Sequence, residues 1–316
     1  MNHLPFLNQT ELEALHDYPL LIKHLEQALA ESQIQYPLRQ HYAYGEANTL
    51  LTMPSWENGR DIGIKLVTVT PANQKRELPS IQGVVVYFDA DTGAPLAILD
   101  AATVTRKRTA AASALASKLL SRSDSTSLLL LGTGALAPEL IRAHTSVRPI
   151  ETVYLWGRTP AKAQRIQEMF ADSPCQVQAV TDYSQVAPSV DIISTATMAV
   201  DPLLSSVHLT AGQHLDLVGS YLPHMREADD SVIERVDIYV DNRPGAEKES
   251  GDILQPLQNG IMTTEDIRGT LAELCQGVVP AREQAKQITL FKSVGFALED
   301  LVAARFYHER YLAANS

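Results

Sequence analysis

Leu128-Leu129-Leu130-Leu131-Gly132-Thr133-Gly134-Ala135-Leu136-Ala137 is an apolar run that ends in a glycine turn. Such a run reads as a strand buried on both faces of a parallel sheet. Gly132 permits a tight turn, and Gly134 lets backbone approach a pyrophosphate with no Cβ in the way. Ala137 stands at the third small position, where helix and strand pack closely. Pro138 falls in the first helical turn, where its missing N–H costs nothing. The helix start then offers N–H groups and the positive dipole end to a phosphate. Gly132, Thr133, Gly134, Ala135 and Leu136 are therefore candidate dinucleotide contacts, and an ordinary strand–helix turn is the alternative.

Glu151-Thr152-Val153-Tyr154-Leu155-Trp156 reads as the next strand, followed by Gly157-Arg158-Thr159. An enzyme for NADH would place Asp or Glu about 20 residues after the loop, on the ribose hydroxyls. No carboxylate stands there. An arginine and a hydroxyl suit a 2′-phosphate through charge-assisted hydrogen bonds. Gly157, Arg158 and Thr159 thus point to NADPH as the preferred cofactor, with NADH as the alternative. A solvated arginine before the helix at Thr159-Pro160 is the bland reading.

Three cations sit in apolar or turn settings. Arg39 lies in Tyr36-Pro37-Leu38-Arg39-Gln40-His41-Tyr42, Lys65 in Gly63-Ile64-Lys65-Leu66-Val67, and Arg108 in Thr105-Arg106-Lys107-Arg108-Thr109. A basic cluster near a helix start opposes the helix dipole, so it has no simple stability rationale. Converging on one carboxylate, these groups would orient an amino-acid-like substrate. Taken singly, each has the ordinary reading of a solvated or salt-bridged cation.

The elements that must position these residues follow from pattern. Asn8 to Gln33 has helical spacing, with Leu12, Leu15, Leu20, Leu21, Leu25 and Leu29 for an apolar face. From about Tyr36 to Leu99, short alternating runs separated by turn signals such as Asp91-Thr92-Gly93 predict an antiparallel sheet. An alanine-rich helix spans about Thr103 to Leu120, and Ser121 to Ser127 reads as a polar link. Alternating strands and helices then predict a doubly wound parallel sheet, with strands near 176–180, 190–194, 214–218 and 237–240. Ile288 to Gly295 reads as a strand and turn, and a last helix runs from about Phe296 to Leu312.

The 316 residues allow two domains, and 45% hydrophobic with 20% charged residues fits a globular enzyme. The net charge of -11 argues against nucleic acid or an anionic membrane as partner. No stretch is apolar enough to span a membrane. Cys175 and Cys275 show no metal or redox spacing, so no metal site is expected. With no basic and apolar leader in Met1 to Phe6, the expected compartment is the cytoplasm.

Several matches in order make the chain resemble the ornithine cyclodeaminase/mu-crystallin family. They are Gly63-Ile64-Lys65, Leu78-Pro79-Ser80-Ile81-Gln82-Gly83, Arg108-Thr109-Ala110-Ala111-Ala112-Ser113, Leu131-Gly132-Thr133-Gly134, Ser194-Thr195-Ala196-Thr197, and Phe291 through Asp300. The resemblance implies an α/β fold, a Rossmann domain over 121–293. It also implies an α+β substrate-binding and dimerisation domain over 1–120, completed by 294–316. It implies a homodimer. It assigns Arg39, Lys65 and Arg108 to the substrate carboxylate, with Gln82 beside them. Val294 and Gly295 would face substrate and nicotinamide. Thr195, Ala196, Thr197 and Ser293 would lie along the cofactor.

One departure bears on the reaction. Cyclodeaminases and related alanine dehydrogenases carry an aspartate in a Gly-Ala-Asp-x-Pro segment, whereas this chain has Gly219-Ser220-Tyr221-Leu222-Pro223. That aspartate is the expected acid/base for amine oxidation and ring closure. Its replacement, with the reductase-like continuation through Pro223-His224-Met225-Arg226-Glu227, points to reduction of a cyclic imino acid. Δ1-Pyrroline-2-carboxylate or Δ1-piperideine-2-carboxylate would give L-proline or L-pipecolate. Lys65 and Arg108 are the expected catalytic residues, and His41, Tyr221 and His224 are further candidate proton donors. Ornithine or lysine cyclodeamination, alanine dehydrogenation, and NADPH-dependent ligand binding of the mu-crystallin type remain the alternatives.

Overall fold

The computed structural model describes residues 4–31, 33–76 and 78–316, which form two compact units. One contains the described residues up to Thr109 together with Phe296–Ser316, and the other is Ala110–Gly295. The division falls inside a helix, α3 (Ala101–Leu120), rather than at the polar stretch 121–127. Asp100 starts that helix, its carboxylate accepting from the Thr103 N–H at 2.8 Å.

The first unit holds a six-stranded sheet. Its strands are β1 (Phe6–Leu7), β2 (Gln40–Tyr44), β3 (Asn48–Glu57), β4 (Asp61–Val69), β5 (Ile81–Asp89) and β6 (Pro95–Asp100). The order is β1-β6-β5-β4-β3-β2, antiparallel except for β1, which runs parallel to β6. Two-residue β1 is too short for its period to show in sequence. The helix expected over 8–33 is two helices, α1 (Gln9–Leu15) and α2 (Tyr18–Glu31). Asn8 and Glu11 form a capping box on α1, and Asp17 accepts from the Leu20 N–H to start α2. The apolar spacing continues across this break, which is why one helix and two look alike in sequence.

The C-terminal helix Ala297–Ala314 packs on β3, β4 and β5. Its approach is close at Gly63, where a Cβ would stand 3.0 Å from Leu301 Cδ1. A glycine two residues before Lys65 thus lets this helix settle against the strand that carries the lysine.

The second unit is an eight-stranded parallel sheet: β7 (Ser127–Leu131), β8 (Thr152–Trp156), β9 (Gln176–Ala179), β10 (Ile192–Thr195), β11 (His214–Leu217), β12 (Asp237–Val240), β13 (Ile267–Thr270) and β14 (Thr289–Lys292). The order is β13-β12-β14-β11-β10-β7-β8-β9. Leu128 to Leu131 are fully buried, as a central parallel strand requires. From β7 the chain winds one way through β8 and β9, then returns to β10 on the other side. The carboxyl ends of β7 and β10 therefore form a topological switch point, where open α/β sheets bind ligands.

Candidate active site

Lys65 and Arg108 meet in the interior of the first unit. Lys65 is 4% and Arg108 5% exposed. Two carboxylates at the start of the C-terminal helix hold them. Lys65 Nζ lies 2.8 Å from Asp300 Oδ2, Arg108 Nε donates to Asp300 Oδ1 at 3.0 Å, and Arg108 Nη1 donates to Glu299 Oε2 at 2.6 Å. Burial brings the Lys65 ammonium down to about 8, Asp300 opposes that fall, and the Arg108 and Arg39 cations reinforce it. Burial alone would raise the Asp300 carboxyl, but Lys65 and Arg108 outweigh it and hold Asp300 below the usual carboxylate range. Arg39, half-buried ahead of β2, is thus near enough for Lys65 to feel its charge.

Gln82 does not join them. It pairs with Thr68, whereas Lys65 pairs with Val85. Strand alternation puts Gln82 on the opposite sheet face, and it is exposed. Glu299 and Asp300 lie within the segment matched by resemblance, but sequence reading gave them no role. Two adjacent acidic residues in the first turn of the last helix were the available signal.

The dinucleotide candidates gather in the second unit. Gly132 has φ +128, and a Cβ on it would stand 2.4 Å from the Ala196 carbonyl oxygen. The turn after β7 and the loop after β10 are thus packed backbone to backbone. A Cβ on Gly134 would meet nothing of the protein within 4 Å, so internal packing does not demand glycine there. A phosphate against the backbone does. The helix α4 (Ala137–Val147) begins with no side chain capping it and with Pro138 in its first turn. These features fit a pyrophosphate. Gly157 is required by packing, because a Cβ would stand 2.6 Å from Thr133 Cγ2. Arg158 and Thr159 follow it, exposed, ahead of α5 (Pro160–Met169).

A buried carboxylate network, unseen in sequence, ties three strand-end loops together. Glu227 accepts from the Thr197 N–H at 2.8 Å, from Thr197 Oγ1 at 2.7 Å, and from the Gly219 N–H at 2.7 Å. Asp252 accepts from the Glu227 N–H at 2.7 Å and from Lys292 Nζ at 3.1 Å. Asp241 accepts from the Val294 and Gly295 N–H groups, at 2.7 and 2.5 Å, and from Ser293 Oγ at 3.2 Å. Thr195, Ala196, Thr197, Ser293, Val294 and Gly295 therefore sit in loops held by carboxylates. Tyr221 is half-buried in the loop after β11, and burial pushes its phenol up. His41 and His224 are exposed.

A unit whose mixed sheet buries paired cations and a separate Rossmann-type unit with a phosphate-fitted loop, in one chain, define a nicotinamide-dependent class of protein. The ornithine cyclodeaminase/mu-crystallin family model matches residues 4–315, and the chain belongs to that family. It is 38% identical over 318 residues to protein SAR DEFICIENT 4 of Arabidopsis thaliana, covering 98% of each chain. It is 40% identical over 264 residues to the Delta(1)-pyrroline-2-carboxylate reductase of Colwellia psychrerythraea, covering 82% of each. Among solved structures, it resembles the Delta(1)-pyrroline-2-carboxylate reductase of Thermococcus litoralis in complex with NADH and L-proline. The TM-score is 0.93 at 32% identity, covering 99% of this chain and 98% of that one.

Proposed function

We propose that this protein reduces a cyclic imino acid with a carboxylate on the imine carbon. Δ1-Pyrroline-2-carboxylate and Δ1-piperideine-2-carboxylate are the substrates, and L-proline and L-pipecolate the products. The observation that carries this reading is the buried pair Lys65 and Arg108, two cations with a ligand carboxylate's chemistry as their natural partner. The relatives named as reductases, and the neighbour bound to NADH and L-proline, support it.

A reduced nicotinamide would supply the hydride. The Gly132 to Leu136 turn and the start of α4 would hold its pyrophosphate, and Thr195 to Thr197 and Ser293 would contact the cofactor. Arg158 and Thr159 favour NADPH by meeting a 2′-phosphate where no carboxylate repels it. Arg108, with Arg39, holds the substrate carboxylate. Lys65 shares that contact and is the group able to give a proton to the imine nitrogen. Val294 and Gly295 are held rigid by Asp241, which accepts from both N–H groups. We place the enzyme in the cytoplasm, as a homodimer formed by the first unit.

Cyclodeamination is disfavoured by Tyr221. A phenol whose ionisation is pushed up stays neutral near pH 7 and does not take up the proton that a carboxylate would. The test follows cofactor oxidation with both cyclic imines, with ornithine, and with pyruvate plus ammonia. Consumption with a cyclic imine is expected. Lys65→Ala and Arg108→Ala should each lower kcat/KM by about 10²- to 10⁴-fold with cofactor binding retained. Wild-type rates in either variant, or no consumption with both imines, would remove the assignment.

A further inference from the structure

Lys65 has a conflict to resolve. A group that both binds a carboxylate and donates a proton must be charged when substrate arrives. Yet Lys65 is almost wholly buried, and Arg108 and Arg39 add positive charge around it. All three influences favour the neutral amine. The neighbouring strands bring no relief, because its paired positions are Met53 on β3 and Val85 on β5, both apolar. The charged groups facing the cluster are Arg39 ahead of β2, Arg108 on α3, and Glu299 and Asp300 on the C-terminal helix. Of the two carboxylates, Asp300 reaches both cations: its Oδ1 accepts from Lys65 Nζ at 2.9 Å and from Arg108 Nε at 3.0 Å, and its Oδ2 lies 2.8 Å from Lys65 Nζ.

We propose that Asp300 is a positioning residue that acts through Lys65: shared between Lys65 and Arg108, its carboxylate keeps Lys65 an ammonium that protonates the imine nitrogen. This rests on the imine-reduction reading. In the step, an Nζ–H bond breaks and an N–H bond forms with the imine lone pair. The reduced nicotinamide is the co-reactant that brings the hydride to the imine carbon, and the C=N π pair becomes the nitrogen lone pair. Lys65, left as a neutral amine, regains its proton from water. The product amine takes its second proton from water as well.

The experiment is the pH dependence of kcat/KM for Δ1-pyrroline-2-carboxylate in wild type, Asp300→Asn and Asp300→Glu, with NADH affinity measured in parallel. The substrate's own ionisation is common to all three, so only differences between them count. Wild type should lose activity on the alkaline side near the Lys65 value of about 8. In Asp300→Asn that limb should move about 1–3 pH units towards acid, lowering kcat/KM at least about tenfold at neutral pH, with NADH affinity unchanged. Asp300→Glu should bring the limb back. An Asp300→Asn limb at the wild-type position overturns the inference. If Asp300→Asn does not fold, Lys65→Arg decides, because arginine keeps the charge and does not release a proton. A kcat loss of about 100-fold or more with KM nearly kept supports proton donation, and a retained kcat overturns it. Failure of wild type to consume cofactor with either imine would instead sink the underlying reading.

Discussion

At the residue scale, the proposed preference for NADPH rests on Arg158. It follows a strand whose end carries no Asp or Glu, and it is exposed beside Thr159. Arg158→Ala should raise the KM for NADPH at least about tenfold, a loss of about 1.4 kcal/mol, and leave the KM for NADH nearly unchanged. Steady-state kinetics with both cofactors checks this, and equal effects would reject the 2′-phosphate role. The position of Arg158 just past β8 was legible in sequence, because it depends only on a recognisable strand. The partners of Lys65 and Arg108 were not. Asp300 is 235 residues from Lys65 and 192 from Arg108 in sequence, and no local pattern links them. Gln82 was misplaced for a related reason. Membership of a matched segment does not say which face of β5 a side chain takes, whereas pairing with Thr68 does.

At the scale of elements, the two glycines of the β7–α4 turn do different work. Gly132→Ala would force a Cβ to 2.4 Å from the Ala196 carbonyl in a left-handed conformation. It should cost about 1–3 kcal/mol and lower Tm. Gly134→Ala meets no protein atom, so its Tm should match wild type while its KM for cofactor rises at least about tenfold. Thermal unfolding and cofactor kinetics on the pair separate the roles. A Gly134→Ala enzyme with normal cofactor KM would contradict pyrophosphate contact at that turn. The β7 turn was readable because strand, glycines and proline lie within a dozen residues. The break between α1 and α2 was not, because Asp17 as a cap competes with an apolar spacing that continues past it. Two-residue β1 declares itself only through its neighbour β6.

At the scale of the whole molecule, the sheet of the first unit has two unlike faces. One receives the C-terminal helix. The other presents Ile62, Ile64, Leu66, Val84, Val86 and Phe88, each only partly buried. A contiguous apolar face of this kind is one that a second copy would cover, in line with the proposed homodimer. Ile64→Asp should convert dimer to monomer in sedimentation, and a wild-type dimer in that variant would exclude this face. The order of the chain has a temporal meaning as well. The first unit is assembled from two distant stretches, and the carboxylates that neutralise Lys65 and Arg108 belong to the second. At about 5–20 residues per second, a ribosome makes the lysine roughly 10–50 s before its aspartate. Most strands of the parallel sheet are made in that interval, with β14, which lies between β12 and β11, among the last. Burying Lys65 and Arg108 before their counter-charges exist would be costly. A chain stalled ahead of the C-terminal helix would therefore lack the carboxylates that let these two cations be buried.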